Sequence, residues 1–534
     1  MIRPKSRTDG IAQMNAPAKS ENIFDVVVIG GALSGAATAK LLLEEMPNLR
    51  VLIVEKSTLF SRRVGEATVE ISTYFLTHSL GLTQYLNETQ INKNGLRFWF
   101  ANEHTQTIDQ CSEIGGKYLS RVPAYLVDRA TLDEEILRRA VALGAELWRP
   151  ATVEKVELNS GTLQKFRIKF QNETREVSAR WVVDASGIAA MLARQNGWWK
   201  PNAEHPTAAV WSRWKNVKDF DCPKLAKKFP DWAMACFGVR GTATNHLMGD
   251  GWWAWWIPLK GGDVSIGIMF DQRLVEFPKD GPLGDRMKNF LMKHPVAKEL
   301  MSDAQWTEGD VHWRKNLPYY TTTFAGDGFS IVGDAAGFID PFYSPGMDWI
   351  SFTVMRTKHL ILAQQRGEPI ARKVEMHNRD FSRSYSRWFE GIYRGKYEYF
   401  GEFDLVKTGF LLDLGFYYFG VAAQPFKRGE AGLCEPVFST IPSVPFYHLM
   451  RTYNRRLSKI ARSRRARNVM GKKNDNRRFM FGGFTFEKSS SIPILKALVS
   501  WAFLEFTEGW RTWFQTSPKI AVKPLTTSMP ESTV

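Results

Sequence analysis

The chain has 534 residues, of which 44% are apolar, and this length is enough for two or three packed domains. Its 4 cysteines are far apart in the sequence and form no CxxC pair, so neither a disulfide framework nor a zinc site is supported, and no metal is expected. We therefore expect a cytoplasmic protein. The net charge is +16, and the segment 451–478 alone carries 12 Lys or Arg residues against a single acid.

Three segments have a distinctive composition. Residues 1–23 are polar and basic, lack the apolar stretch of a signal peptide, and are predicted to be a disordered leader. The segment 451–478 is a candidate contact for anionic lipid or an acidic protein, or else a solvated, partly flexible linker. It lacks interleaved aromatic residues apart from Tyr453, so no nucleic-acid partner is expected. The apolar run 408–423 is too short to cross a bilayer and carries Asp413, which favours a buried helix over membrane contact, although peripheral contact stays open.

The first predicted unit is a strand, a glycine turn and a helix. The turn contains Gly30 and Gly35, with Ala32 at the middle position where a third glycine is usual. The N-terminus of such a helix suits a pyrophosphate. The next strand ends at Glu55, about 20 residues after the last glycine, where an acid binds a ribose hydroxyl. The sequence therefore predicts a dinucleotide site.

The following elements alternate between strands and helices. A helix is predicted near 70–88, a strand at 96–100 and a helix from Arg129. Further strands are predicted at 151–157, 165–170 and 179–184. The last of these ends at Asp184, followed by small residues and a glycine. Residues 205–325 alternate and are rich in Trp, as in a mixed sheet that covers a pocket.

A third strand–acid–glycine corner lies at Gly333 and Asp334. Small residues follow it, then a turn with Pro341 and Gly346, and an apolar helix from about Met347. Small residues allow the backbone to approach a ligand closely, and Asp334 is placed to accept hydrogen bonds from a sugar-like hydroxyl chain. The chain is then predicted to be helical to about residue 400.

These corners occur in an order that resembles the FAD-dependent aromatic hydroxylase superfamily. The residues that carry the resemblance are Gly30–Gly35, Glu55, Arg129, Asp184–Gly187 and Gly333–Asp334. The resemblance implies FAD, with its pyrophosphate at the first glycine turn, its ribose at Glu55 and its ribityl chain near Asp334.

The resemblance also implies a fold. We expect an α/β protein in which a Rossmann-like FAD-binding domain is interleaved with a mixed β-sheet substrate domain, followed by a mostly helical C-terminal region. The FAD-binding core is expected at 24–365, with the substrate-side sheet formed by about 90–125 and 205–325. Residues 366–534 are expected to form a helical, basic region that covers the substrate pocket.

Two further motifs resemble those of flavin-dependent halogenases. Trp253, Trp255 and Pro258 match the WxWxIP signature, and 338–346 matches FxxPxxSxG. The resemblance implies that reduced FAD, O₂ and chloride or bromide yield hypohalous acid, which halogenates an aromatic ring. It also places halide on backbone amides of the second motif. The residues concerned are Ser344, Gly346 and Met347, and Pro345 among them has no N–H.

Lys93 is the candidate catalytic residue. The segment 93–100 resembles the K-x-G-x-x-F-x-W stretch around the catalytic lysine of phenol and pyrrole halogenases, with Phe100 in place of the final Trp. In that family the lysine either donates a hydrogen bond to hypohalous acid or becomes a haloamine. The alternative is an ordinary surface lysine in a polar run.

One departure from the family motifs bears on the class of substrate, and the lack of an NAD(P)H motif bears on the source of reduced FAD. Free-tryptophan halogenases carry a glutamate before the motif serine, whereas this chain has Tyr343, which favours a phenol- or pyrrole-type substrate. No second glycine fingerprint for NAD(P)H is evident, which agrees with reduced FAD arriving from a separate flavin reductase. An acyl or peptidyl carrier protein is a further candidate partner for the basic segment.

Two alternatives stay open. One is an FAD-dependent aromatic hydroxylase or an isoprenoid-type reductase of the same superfamily. The other is an inactive flavin-binding or membrane-associated protein that uses its basic segment.

Overall fold

The computed structural model describes residues 22–236 and 238–514. The described residues form an α/β structure built on two large mixed sheets, and this confirms the predicted fold class. The leader predicted at 1–23 lies almost entirely outside the described residues.

The first sheet, here called the nucleotide-binding sheet, has a parallel centre. In spatial order its main strands are Ala325–Gly326, Phe329–Ile331, Glu173–Asp184, Ile23–Ile29, Val51–Val54 and Glu146–Trp148. The first of these pairs antiparallel with its neighbour, and the others pair in parallel. Ile29 lies opposite both Val54 and Asp184, and Asp184 lies opposite Ile331. The three strand–acid–glycine corners therefore meet at one edge of the sheet, where open α/β folds bind ligands.

An antiparallel extension enlarges this sheet on one side. The strands Ala151–Glu157 and Gln164–Phe170 continue from Glu173–Asp184 as a meander. Their side chains alternate between buried and exposed positions, which is the pattern of a sheet with one solvated face. The predicted strands are all present. The last one starts earlier than 179 because its outer half pairs in the meander and not in the buried centre.

Helices cover the nucleotide-binding sheet, its carboxyl edge and one face of the second sheet described below. The helices of the first 365 residues are Leu33–Glu45, Glu70–Tyr74, Thr83–Thr89, Arg129–Ala142, Met191–Gln195, Pro223–Lys228, Pro230–Met234, Leu283–Leu291, Pro295–Leu300 and Gly346–Gln365. The helix predicted near 70–88 is interrupted. Glu70–Tyr74 continues as a wider turn to Ser79, and Gly81, with φ +63°, separates it from Thr83–Thr89.

The second sheet, here called the substrate-side sheet, is mostly antiparallel. In spatial order its strands are Gln305–Trp306, Thr207–Lys215, Val264–Asp271, Trp252–Pro258, Thr244–Gly249, Leu96–Phe100, Ser112–Gly116 and Arg478–Phe481. One further strand, His312–Lys315, also pairs with Thr207–Lys215. Arg478–Phe481 comes from the C-terminal region and pairs in parallel with Ser112–Gly116. The sequence did not predict this strand, because it is short and follows a strongly basic segment.

The C-terminal region is otherwise helical. Its longer helices are Ala371–Trp388, Phe403–Tyr417, Val444–Ala466 and Ser491–Thr507. Within the described residues, one continuous helical stretch, Phe403–Arg428, is long and apolar enough to cross a membrane. The prediction that this apolar run is too short was therefore wrong. The predicted burial holds, because 61% of its most apolar window is buried and Asp413 forms an ion pair with Lys396 inside the protein.

The structure corrects the interpretation of the basic segment as a solvated linker. Residues up to Ala466 belong to the helix Val444–Ala466, and many of its arginines meet acids from other segments. Arg456 binds Glu505 at 2.6 Å. Arg464 is buried, and it contacts Glu402, Asp404 and Glu508. A large part of the positive charge is therefore neutralised within the fold.

We predict that Arg464→Met destabilises the protein much more than Arg467→Met. Arg464 is 1% exposed and its loss removes the buried cation shared by three carboxylates, whereas Arg467 is 38% exposed and lies 3.6 Å from Glu508. Breaking a buried ion pair on one side costs about 3–5 kcal/mol, and an exposed pair about 0–1 kcal/mol. Urea unfolding of both variants measures the difference. Equal losses of unfolding free energy would contradict the assignment.

Candidate active site

The first glycine turn is shaped for a close approach by a ligand. Gly30 has φ +98°, and a Cβ there would lie 2.5 Å from the carbonyl oxygen of Ala185. A Cβ at Gly35 would overlap the carbonyl oxygen of Gly30. The helix Leu33–Glu45 begins after Ala32 without a side-chain cap and without an acid in its first turn. Its first N–H groups are therefore available to an anion such as pyrophosphate.

Glu55 is buried beside this turn. Its Oε2 accepts a hydrogen bond from the N–H of Gly31 at 2.8 Å, and its Oε1 accepts one from the N–H of Ser57 at 2.8 Å. These bonds hold the glycine turn against the end of the second strand. The role of Glu55 toward a ribose stays a prediction.

The other two corners differ from each other. Asp184 uses both carboxylate oxygens within its own loop, accepting from the N–H of Ser186 at 2.9 Å and of Leu192 at 2.7 Å. Asp334 has no side-chain hydrogen-bond partner among the described residues. Burial raises the pKa of Asp334, and the nearby cations Arg129 and Arg63 oppose that shift.

The corner residues together fit FAD. Arg129 is buried and paired with Asp133 at 3.0 Å, so it stays fixed close to Asp334. The uncapped helix N-terminus suits a pyrophosphate, and the carboxylate of Asp334 is free to accept from hydroxyl groups. By contrast, the engaged carboxylate of Asp184 stabilises its own loop.

A cavity with an empty volume of about 1100 Å³ lies at the border between the core and the C-terminal helices. Its walls combine both parts of the chain. The aromatic residues that line it are Tyr118, Tyr343, Trp388, Tyr393, Phe410, Tyr417, Tyr418, Phe481 and Phe484. Its apolar and aromatic lining is typical of sites for small organic ligands.

Lys93 lines this cavity and is buried. Its Nζ donates a hydrogen bond to the carbonyl oxygen of Thr68 at 2.8 Å. Burial lowers the pKa of Lys93 to about 8, although the charges of Glu70 and Asp348 oppose the shift. The alternative that Lys93 is an ordinary surface lysine is therefore wrong.

Three carboxyl groups line the cavity with Lys93, and one of them, Asp413, is paired with Lys396. Asp348 accepts hydrogen bonds from the N–H of Ser72 at 2.9 Å and from the hydroxyl of Tyr417 at 3.3 Å. Burial raises the pKa of Asp348 to about 8, with hydrogen bonding by Ser72 opposing the shift and Glu70 adding to it. Glu70 accepts a hydrogen bond from the hydroxyl of Tyr418.

Sequence reasoning missed Asp348 and Glu70. The available signal for Asp348 was an acid at the start of an otherwise apolar helix, directly after the second motif.

The turn of the second motif is strained. Tyr343 and Ser344 have φ +70° and +58°, the left-handed region that favours glycine. The N–H of Ser344 donates to the carbonyl oxygen of Pro341 at 2.9 Å, so it is engaged within the turn. The helix Gly346–Gln365 starts directly afterwards. Among the predicted halide-binding positions, this leaves the N–H groups of Gly346 and Met347, which have no intrahelical acceptor.

A buried hydrogen-bond network joins the two motifs. Trp253 Nε1 donates to the hydroxyl of Tyr397 at 2.9 Å, and this hydroxyl donates to Asp340 Oδ2 at 2.9 Å. His205 Nε2 lies 2.9 Å from the same oxygen, and the N–H of Phe342 donates to Asp340 Oδ1 at 2.9 Å. Tyr397, from the C-terminal region, therefore connects WxWxIP to the turn.

The rest of the first motif supports the substrate-side sheet. Trp255 Nε1 donates to Ser265 Oγ at 3.3 Å, and its ring occupies the space where a Cβ of Gly267 would lie. Pro258 lies opposite Val264 at the end of its strand. None of the motif residues of this strand is among the described residues that line the cavity.

The fold and these features define a Rossmann-like α/β protein with a glycine turn suited to a dinucleotide and a buried lysine in an aromatic-lined cavity. The tryptophan halogenase family profile matches residues 25–120 and 115–393, which is more than half of the chain. The chain therefore belongs to this family of flavin-dependent enzymes. Among the described residues, no cluster of three or more His, Cys, Asp or Glu side chains could hold a metal ion.

Individual relatives are distant. Flavin-dependent halogenase chlA from Dictyostelium discoideum is 28% identical over 369 residues, which are 62% of this chain and 59% of the relative. A 1H-pyrrole-2-carbonyl peptidyl-carrier-protein chlorinase from Pseudomonas fluorescens is 25% identical over 402 residues, covering 72% of this chain and 83% of that protein. Flavin-dependent halogenase armH5 from Armillaria mellea is 24% identical over 360 residues, 64% of this chain and 65% of the relative. The chain thus spans less than two thirds of the length of two of these relatives.

A solved structure shares the fold. The crystal structure of halogenase PltM in complex with phloroglucinol and FAD superposes with a TM-score of 0.70 at 19% identity, covering 89% of this chain and 96% of that one.

We predict that Tyr397→Phe lowers the free energy of unfolding by about 1–3 kcal/mol, because it leaves Trp253 and Asp340 each one hydrogen bond short in a buried site. Tyr320→Phe is the matched control, because its hydroxyl has no hydrogen-bond partner among the described residues. Urea unfolding compares the two variants. A loss no larger in Tyr397→Phe than in the control would argue against the network.

Proposed function

We propose that this protein is an FAD-dependent halogenase that uses reduced FAD, O₂ and chloride or bromide to halogenate an electron-rich aromatic substrate of phenol or pyrrole type. The observation that carries the proposal is the burial of Lys93 in an aromatic-lined cavity. The same cavity contains Tyr343 and Pro345 of the halogenase turn motif.

The cofactor and the halide would be held at the carboxyl edge of the nucleotide-binding sheet. Gly30–Gly35 would hold the pyrophosphate of FAD, Glu55 its ribose, and Asp334 with Arg129 the neighbouring hydroxyl chain. When bound and reduced, FAD supplies with O₂ the two-electron oxidation of halide to hypohalous acid. The N–H groups of Gly346 and Met347 would hold the halide.

Lys93 would act as an ammonium donor. With a pKa of about 8, about nine in ten Lys93 side chains carry the proton at pH 7. An ammonium that donates a hydrogen bond to the oxygen of hypohalous acid makes the halogen more electrophilic and stabilises the departing oxygen. The aromatic walls exclude water, which would otherwise compete for the oxidant.

The charges of the cavity favour a substrate without a free carboxylate. Among the described residues that line it, Lys93 is the buried cation, and Arg121 is exposed at the mouth. A free amino acid needs buried partners for both of its charges. A phenol needs an acceptor for its hydroxyl, and the ring loses a proton when the carbon–halogen bond forms. Glu70 and Asp348 offer carboxyl oxygens for both purposes.

The proposal includes a protein partner and a second candidate substrate. A separate reductase would supply reduced FAD, since the sequence shows no second dinucleotide fingerprint. A carrier-tethered pyrrole is the second candidate substrate, supported by the 25% identity to the pyrrole-carrier chlorinase and by the exposed Arg121 at the cavity mouth, which suits a phosphate of a carrier arm.

We predict that the protein with FAD, a flavin reductase, NADH, O₂ and bromide converts phenols to brominated products, and that Lys93→Met lowers product formation about 10²–10⁴-fold while NADH consumption continues. Mass spectrometry detects the halogen isotope pattern. Lys358→Met is the matched control, since Lys358 is also buried but pairs with Glu45 and Glu430 away from the cavity.

The competing functions give different results in the same assay. Products heavier by one oxygen would identify a hydroxylase. Halogenated product from Lys93→Met at the wild-type rate would refute the assignment of Lys93. Product from a carrier-bound pyrrole but from no free phenol would select the second substrate class.

We predict that halogenation, measured relative to NADH consumption, falls about tenfold per pH unit above pH 8, because the ammonium of Lys93 is present below its pKa of about 8 and is lost above it. A haloamine role requires the neutral amine and predicts the opposite slope. Asp348→Asn is the control, because Asp348 has a similar pKa. If Lys93 is the group that titrates, the pH at which halogenation begins to fall is lower in this variant, because the charge of Asp348 raises the pKa of Lys93. If Asp348 is the group that titrates, the fall in halogenation disappears.

A further inference from the structure

The helix Ser491–Thr507 carries a continuous apolar stripe on its outer side. Its residues are Ile492, Leu495, Val499, Phe503 and Phe506, each more than half exposed. Their spacing of three and four residues places them on one face over about 21 Å of helix. Trp510, Trp513 and Phe514, also more than half exposed, follow directly. A stripe of this size is unusual on a protein surface that faces only water.

The opposite face fixes this helix to the rest of the protein. Ala497 and Leu504 are buried, and Ile494 fills the space where a Cβ of Gly415 would lie. The ring of Trp501 lies edge-on to Tyr453 at 6.1 Å. The helix is therefore apolar on both sides. One side packs on Phe403–Tyr417 and contacts Tyr453 and Arg456 of Val444–Ala466, and the other side faces outward.

The unpaired ionic groups within residues 491–514 have one sign. The acids of this segment are engaged, since Glu505 pairs with Arg456 and Glu508 pairs with Arg464. The exposed charges beside the stripe are Lys496 and Arg511, and the guanidinium of Arg511 lies over the ring of Trp510. The face thus combines apolar side chains and interfacial tryptophans with cations, in a chain whose net charge is +16.

We infer that this face, here called the outer stripe, docks the protein on the surface of an anionic lipid bilayer. Apolar and aromatic side chains enter the boundary between headgroups and acyl chains, while neighbouring cations meet the lipid phosphates. A second copy of the chain fits less well, because a two-fold contact through this face would bring the cations Lys496 and Arg511 of one copy towards those of the other. An acidic protein would satisfy the cations but would not supply a matching apolar surface.

The sequence favoured a buried helix over membrane contact and left peripheral contact open. The sequence argument examined the run 408–423, which is largely buried. The outer stripe lies on a later helix, and its exposure is a property of the packing. The contact is peripheral and does not depend on the proposed reaction.

The test is sedimentation of the full-length protein with vesicles of phosphatidylcholine, with and without phosphatidylglycerol. We expect binding to the anionic vesicles, weakened by salt, and at least tenfold weaker binding by Phe503→Ser/Phe506→Ser. Met234→Ser/Leu143→Ser is the control, because it removes exposed apolar side chains from other surfaces. This control is expected to bind as the wild type does.

Three results would overturn the inference. The first is a wild-type protein that binds neither kind of vesicle. The second is equal binding by the wild type and the outer-stripe variant, which would place lipid contact elsewhere. The third is a dimer, measured by light scattering, that the outer-stripe variant abolishes while vesicles are not bound, since this would make a second copy the occupant.

Discussion

The carboxylate of Asp340 accepts the hydrogen bonds that connect the two sequence motifs of the site. It is buried, and it receives hydrogen bonds from the turn that follows it, from Tyr397 of the C-terminal region and, through Tyr397, from the strand that carries Trp253. Removing Asp340 would leave the hydroxyl hydrogen of Tyr397 and the N–H of Phe342 without these acceptors in a low-dielectric interior. The strained turn at Tyr343 and Ser344 directly follows this anchor. Residues with side chains ordinarily avoid this left-handed backbone conformation. It persists in this turn because the hydrogen bonds and packing around it hold the backbone in place.

The electrostatics of the cavity follow from the same burial. Lys93 and Asp348 have pKa values shifted toward each other by loss of solvent, so both side chains can change protonation near pH 8. In water these groups would be charged and inert at neutral pH. Inside the cavity they can hold or release a proton while a substrate is bound. Groups with this property are common in active sites, where proton transfer has to be matched to the working pH.

Local patterns predicted the parts of the structure that depend on local chemistry. The glycine turn, Glu55 at the end of its strand and the strands of the meander follow from residue spacing, because backbone sterics and alternation act over a few residues. Burial of Lys93 was not predictable from its polar neighbours. It results from long-range packing, since its wall is completed by helices more than 300 residues later. Asp348 and the outer stripe were missed for the same reason, because exposure and burial on a helix are decided by what packs against each face. The roles of the individual residues toward FAD and halide remain predictions.

The strand Arg478–Phe481 has a consequence for the order in which the protein is made. It adds the last strand to the substrate-side sheet, and Phe481 and Phe484 complete the wall of the cavity. The strands of the nucleotide-binding sheet are all synthesised by residue 331, so that sheet can assemble while the ribosome is still translating the remainder. The cavity cannot close until about 150 further residues have emerged. A nascent chain can therefore have a formed edge on the nucleotide-binding sheet while one wall of the cavity is still missing.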